Sequence, residues 1–148
     1  MPARKGKVRP GPRLGKQPPK YYFFLNPYTD ARFTSCPKCG AKTRVRKIPL
    51  VIHVEPGQLV SLNKICRLCI ACDLLIVHQD ELEAFLAAYF GEHRPEMLGN
   101  DYLVLGTQSR ADWLKGMQTP LPPQQAFEYL HDFRDYWTFQ PSPRWGPA

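Results

Sequence analysis

The chain holds no run of apolar residues approaching the roughly 18 to 20 that a membrane helix needs, so no membrane partner is expected. Common catalytic signatures are missing too. Ser35, Ser61, Ser109 and Ser142 stand in no nucleophile-elbow pattern, no glycine-rich phosphate loop ends in Lys-Ser or Lys-Thr, and no His-Glu-x-x-His occurs. His53, His78, His93 and His131 are scattered through the chain. These gaps make a non-catalytic protein the expectation. The basic start is followed by no apolar stretch or small-residue cleavage site, so a secretory signal is not expected. The cytoplasm, or an organelle interior, is the expected setting, and in a reducing compartment five cysteines are metal ligands or free thiols before they are disulfides.

Acidic residues are absent from positions 1 to 20, which carry Arg4, Lys5, Lys7, Arg9, Arg13, Lys16 and Lys20. Those seven cations equal the whole formal net charge of +7. With five prolines, three glycines and little to bury, the segment is expected to be an extended, disordered basic arm suited to phosphate. Residues 21 to 78 hold eight basic and three acidic side chains, whereas residues 79 to 148 hold five and ten. The charge is polarised along the chain, and only its first half has the character of a nucleic-acid face. At 148 residues the chain has room for one well-developed core.

The pattern predicts an α+β chain in three parts. These are the arm at 1–20, a small antiparallel β unit at 21–78, and a mainly helical region at 79–148 packed on or beside it. Tyr21 to Leu25 forms a short strand. Thr43 to Val54 and Gln58 to Lys64 form a hairpin about the Glu55-Pro56-Gly57 turn, and Leu74 to Val77 adds a further strand. From Asp80, a predicted cap, Leu82, Phe85, Leu86, Tyr89 and Phe90 recur at helical spacing up to Gly91. Tyr102 to Leu105 is a strand, and Thr107 or Ser109 caps a short helix ending near Gly116. A last helix, about 124–138, would align Phe127, Leu130, Phe133 or Arg134, and Trp137 into a stripe serving as core or as a protein-docking surface.

Cysteine spacing carries the strongest chemical signal. Four thiolates satisfy tetrahedral zinc, and two cysteines separated by two residues let one tight turn aim both sulfurs at a single ion. Cys36 and Cys39 make the first pair. Cys66, Cys69 and Cys72 offer two registers for the second. Gly40, after the first pair, suits the left-handed backbone such a turn adopts. Asp73 after Cys72 tolerates that conformation better than β-branched Ile70 after Cys69. The favoured set is therefore Cys36, Cys39, Cys69 and Cys72, spaced C-x2-C-x29-C-x2-C, with Cys66 as the alternative ligand or else a buried thiol. Iron fits the same donor set, since ligand type alone does not separate it from zinc.

Cys36-Pro37-Lys38-Cys39-Gly40, the hairpin, and Cys69-Ile70-Ala71-Cys72-Asp73 together resemble a zinc ribbon over residues of about 34–78. The resemblance implies one structural Zn2+. It fixes no function, because zinc ribbons occur in ribosomal proteins, transcription factors, polymerase subunits and enzyme accessory domains alike. The cations around the cysteines, Lys38, Lys42, Arg44, Arg46, Lys47, Lys64 and Arg67, join the arm as the expected contact with RNA or a ribonucleoprotein. Two other expectations compete with this one: protein recognition by Phe127, Leu130 and Trp137, and thiol chemistry at Cys66.

Overall fold

The computed structural model describes residues 14–118 and 127–138. The strands are β1 (Tyr22–Asn26), β2 (Arg44–Val54), β3 (Gln58–Cys69), β4 (Leu74–His78), β5 (Tyr102–Thr107), β6 (His131–Asp132) and β7 (Asp135–Tyr136). Helix α1 spans Gln79–His93 and α2 Arg110–Gln118, with 3-10 turns at Pro95–Met97 and Phe127–Tyr129. All seven strands form one sheet in the order β6-β5-β2-β3-β4-β1-β7. Pairing is antiparallel except where β1 runs parallel to both β4 and β7.

Period-two alternation sets the register of the central hairpin. Leu50 faces Leu62 and Ile52 faces Val60 across β2 and β3, so the apolar side of each strand lands on the same face. β4 reads Leu-Leu-Ile-Val-His and is buried throughout, as expected for a strand covered on both faces. Leu75 and Val77 join the main core, whereas Leu74 and Ile76 join a second cluster on the opposite face. Helix α1 closes the main core with Leu82, Leu86 and Phe90, and Met97 follows from the next turn.

β6 and β7 lie at opposite ends of the strand order, yet only Phe133 and Arg134 separate them in the chain. The sheet therefore curls until one short segment bridges its two edges. Phe133 N–H donates to the Leu105 carbonyl on one side (3.4 Å), and Arg134 N–H donates to the Tyr21 carbonyl on the other (2.7 Å). The Phe133 ring stacks on Phe23 with centroids 4.3 Å apart, filling the concave side. Gly106 is required at this seam, because a Cβ there would run into the His131 carbonyl.

Several expectations change. The helix expected over 124–138 does not form in the part of it described. A 3-10 turn and two short strands stand there instead, because the open sheet edges offer Phe133 and Arg134 backbone partners that outweigh a modest local helix preference. β3 runs five residues beyond Lys64, to Cys69, so the hairpin is longer than its apolar content suggests. α1 is capped by His78 without a side-chain bond, while Asp80 Oδ1 accepts from Glu81 N–H (2.8 Å). The helix also passes through Gly91 to His93. For α2 the predicted cap is observed: Ser109 Oγ accepts from Asp112 N–H at 3.1 Å.

Arm residues 14–20 run beside 127–132. Lys16 N–H donates to the Phe127 carbonyl, Gln17 N–H to Leu130 and Lys20 N–H to Asp132. The buried Asp132 carboxylate accepts from Leu14 and Gly15 N–H at 3.2 and 2.6 Å. Arg4, Lys5, Lys7, Arg9 and Arg13 lie outside the described residues.

Candidate metal centre

Two tight turns present the cysteines. The first, between the bridged residues Ser35 and Lys42, carries Cys36 and Cys39. The second is the connection from β3 to β4, where Cys69 ends the strand and Cys72 sits in the turn. Each turn closes with left-handed backbone one residue after its second cysteine, Gly40 at φ 82° and Asp73 at φ 58°. This is the conformation that favours Asp73 over Ile70 for the second register.

The sulfurs of Cys36, Cys39, Cys69 and Cys72 all lie within 4.8 Å of one another. Cys39 and Cys69 Sγ are 3.6 Å apart, against about 3.8 Å for the edge of a tetrahedron with zinc–sulfur bonds of about 2.3 Å. Lys38 N–H points at Cys36 Sγ (3.3 Å) and Ala41 N–H at Cys39 Sγ (3.5 Å), donors that stabilise thiolate. The Ala41 amide is the leading cause that draws the Cys39 thiol down to about 7, helped by the Cys72 and Cys69 thiols. The reverse side of those contacts pushes Cys72 up to about 12, first through its bond to Cys39 and then through burial, while burial raises Cys69. One sulfur thus takes negative charge readily and its neighbours resist the next. Four thiolates this close need a cation among them, and the donor set fits one metal ion of the zinc or iron type. With four protein ligands, such a site leaves no open position for substrate.

Cys66 is excluded from this cluster by strand geometry. It stands three residues before Cys69 on β3, so its side chain emerges on the other face and is buried in the main core with Leu68 and Leu75. Its thiol contacts the Lys64 carbonyl (3.2 Å), and burial pushes it up to about 12. Had β3 been extended in the sequence to Cys69, the alternation Val60, Leu62, Lys64, Cys66, Leu68 would have revealed this. The cluster covers a second apolar group made by Phe24, Leu74 and Ile76, with Trp137 edge-on to Phe24 at 5.2 Å. The four cysteines and this sheet face are therefore packed as one unit.

Of the cations expected around the cysteines, Lys38, Lys42, Arg44, Arg46 and Lys47 are exposed. Arg44 stands opposite Leu68, next to the ligand Cys69, so the basic stretch adjoins the metal end of the hairpin. Lys42, Arg44, Arg46 and Lys47 form no ion pair with the described residues, and Lys38 lies over the Tyr22 ring at 5.0 Å. Lys16 and Lys20 are exposed on the arm's root. Lys64 departs from expectation. It is buried, donating to Glu81 on α1 (3.0 Å) and to the Ile65 carbonyl (2.8 Å), and so does not belong to the basic face. Arg67 is half-buried and bonds Thr43 at its carbonyl (3.4 Å) and Oγ1 (3.2 Å).

Of the stripe expected to dock a protein, one residue is buried and two are half-buried. Leu130 is fully buried with Val51 and Leu105, Phe127 packs against them, and Trp137 packs against the metal-side cluster. In the strand expected from Tyr21, Phe23 and Phe24 are core. No helix among the described residues is long and apolar enough to cross a membrane. Comparison with family models, curated proteins and solved structures finds no match for this chain; what the structure shows is a tetracysteine cluster able to hold one metal ion on an α+β fold.

Proposed function

We propose that the chain is a non-catalytic, zinc-stabilised adaptor that binds structured RNA, alone or in a ribonucleoprotein, through its basic hairpin end and N-terminal arm. One observation carries this reading. The cations Lys42, Arg44, Arg46 and Lys47 stand exposed at the cysteine end of the hairpin and without carboxylate partners among the described residues. An unneutralised row, Arg44 and Arg46 on one face of a braced strand with Lys42 before it and Lys47 on its other face, is suited to phosphate, and release of condensed counterions supplies the affinity. A metal held by two turns that join the base of β2 to the start of β4 limits how far that row can move. The contacts are to backbone, so sequence discrimination is weak.

The test is a titration of a labelled RNA hairpin and its DNA counterpart at several salt concentrations. Replacing Lys42, Arg44, Arg46 and Lys47 by alanine together is expected to flatten the slope of log affinity against log salt by up to about 3 to 4, near 0.9 per contact removed. Deleting residues 1–13 is expected to lower it further. Unchanged binding in both variants at low salt would overturn the reading.

A further inference from the structure

A cavity of about 590 Å³ opens between α1 and the loop that leads from it to β5. It lies at the opposite end of the β2–β3 hairpin from the cysteine cluster, since its lining includes Val54 at the far end of β2. One wall is apolar and built from core residues, Val54, Leu86, Phe90 and Met97. The polar side carries Glu83, Asp101 and Tyr102. No Lys, Arg or His among the described residues lines it. The size is within the range of small-molecule sites, roughly 300 to 1,000 Å³, as is the combination of an apolar wall with a few convergent polar groups.

Glu83 is held in place. Its Oε2 accepts from the Tyr102 hydroxyl at 2.8 Å and from Gln79 Nε2 at 2.9 Å. Burial, and then the bond to Glu83, push the Tyr102 phenol well above its ordinary range, so it stays a donor. With both donors on one oxygen, Oε1 has no partner among the described residues and is open to a charge-assisted bond. Glu83 sits on α1 and Tyr102 begins β5, so two regular elements set the position of that oxygen.

We propose that this cavity binds a small organic cation, an ammonium or guanidinium on an apolar body, with the charged group on Glu83 and the body against Leu86, Phe90 and Met97. The proposal does not depend on nucleic-acid binding. The apolar wall supplies burial for the body, and the two carboxylates select for positive charge over a neutral or anionic head.

The test uses the full chain with its metal, labelled for amide NMR, and titrates n-hexylamine and 2-phenylethylamine beside the neutral n-hexanol and 2-phenylethanol. Saturable shifts at Leu98, Gly99, Asn100 and Tyr102 are expected with the amines, and about tenfold weaker binding with the alcohols. Glu83→Gln is expected to bring the amines most of the way down to the alcohols' level and leave the alcohols unchanged. Ala87→Phe, on an exposed position of the lining, is expected to block all four without disturbing the spectrum elsewhere. Three results would overturn the assignment: no saturation by either amine near 10 mM, where a site of about millimolar affinity fills; equal binding of amine and alcohol; or amine binding unaltered by Glu83→Gln.

Discussion

At the scale of single residues, the side of a strand on which a thiol emerges decides its chemistry. Cys66 and Cys69 belong to the same strand, but one enters the apolar core and the other the metal cluster. Cys72→Ser is therefore expected to abolish stoichiometric metal binding, whereas Cys66→Ser keeps one ion per chain and lowers stability by about 1–3 kcal/mol through a hydroxyl placed in the core. Metal analysis together with denaturant unfolding of both variants distinguishes the roles. Retention of a full equivalent of metal by Cys72→Ser would contradict the four-sulfur site.

His78 makes a second residue-scale case. It is buried, its Nδ1 lies 3.0 Å from the Asn26 amide nitrogen, and that amide nitrogen also reaches the carbonyls of Tyr28 (3.2 Å) and Ala31 (2.7 Å). Asn26 donates, so Nδ1 accepts and the ring is neutral. Burial, followed by the charge of Arg32, lowers its affinity for a proton below the ordinary 6.5, with Lys64 acting the same way and Glu81 and Asp80 opposing. The unfolded chain consequently takes up the proton first as pH falls. The stabilising effect of the neutral ring is complete above about 6.5 and is lost on acidification below it. The urea midpoint should drop between about pH 7 and pH 5, and His78→Gln should reduce that slope.

The elements are specified mainly by what lies on each side of them. β4, apolar at every position but the last, fits between β3 and β1 with a core on either face. α1 is weakly amphipathic because it contacts the sheet through a narrow line, Leu82, Leu86 and Phe90, and leaves Phe85 exposed. Leu82→Ala is expected to cost about 2–5 kcal/mol, and Phe85→Ala far less, by thermal or urea unfolding. The arrangement of β2 also explains its mixed composition. Leu50 to Val54 are flanked by β3 and β5, whereas among the described residues Arg44 to Lys47 pair with β3 alone and place charged side chains along that edge. Charged edge residues are a common protection against unwanted strand pairing, and here the same residues supply the proposed phosphate contacts.

For the molecule as a whole, closure of the sheet and the cysteine cluster able to hold a metal ion are separate devices. Phe133 sits at the seam, stacked on Phe23, and Phe133→Ala is expected to cost about 3–5 kcal/mol. The cysteine cluster is on the other face of the sheet, over Phe24, Leu74 and Ile76. Removing the metal by chelation should expose the two cysteine turns and loosen the loop before β2, while the amides of Leu50 to Ile52, held between β3 and β5, remain protected from exchange. Hydrogen exchange with and without chelator measures this contrast. Uniform loss of protection across the sheet would mean that the ion supports the entire fold.

The sequence by itself determined the two cysteine turns, the β2–β3 hairpin, the first helix and the concentration of positive charge before residue 79. These follow from short-range chemistry: ligand spacing, a tolerated left-handed residue at Gly40 or Asp73, alternation, and periodicity over a few turns. Tertiary structure alone decided that Cys66 stays out of the cluster, that Lys64 is buried against Glu81, and that residues 131–136 become strands at both sheet edges. Each of those outcomes depends on partners distant in the chain. A backbone segment that meets open edges on both sides exchanges its own helical hydrogen bonds for theirs, and no local pattern records that those edges will be there.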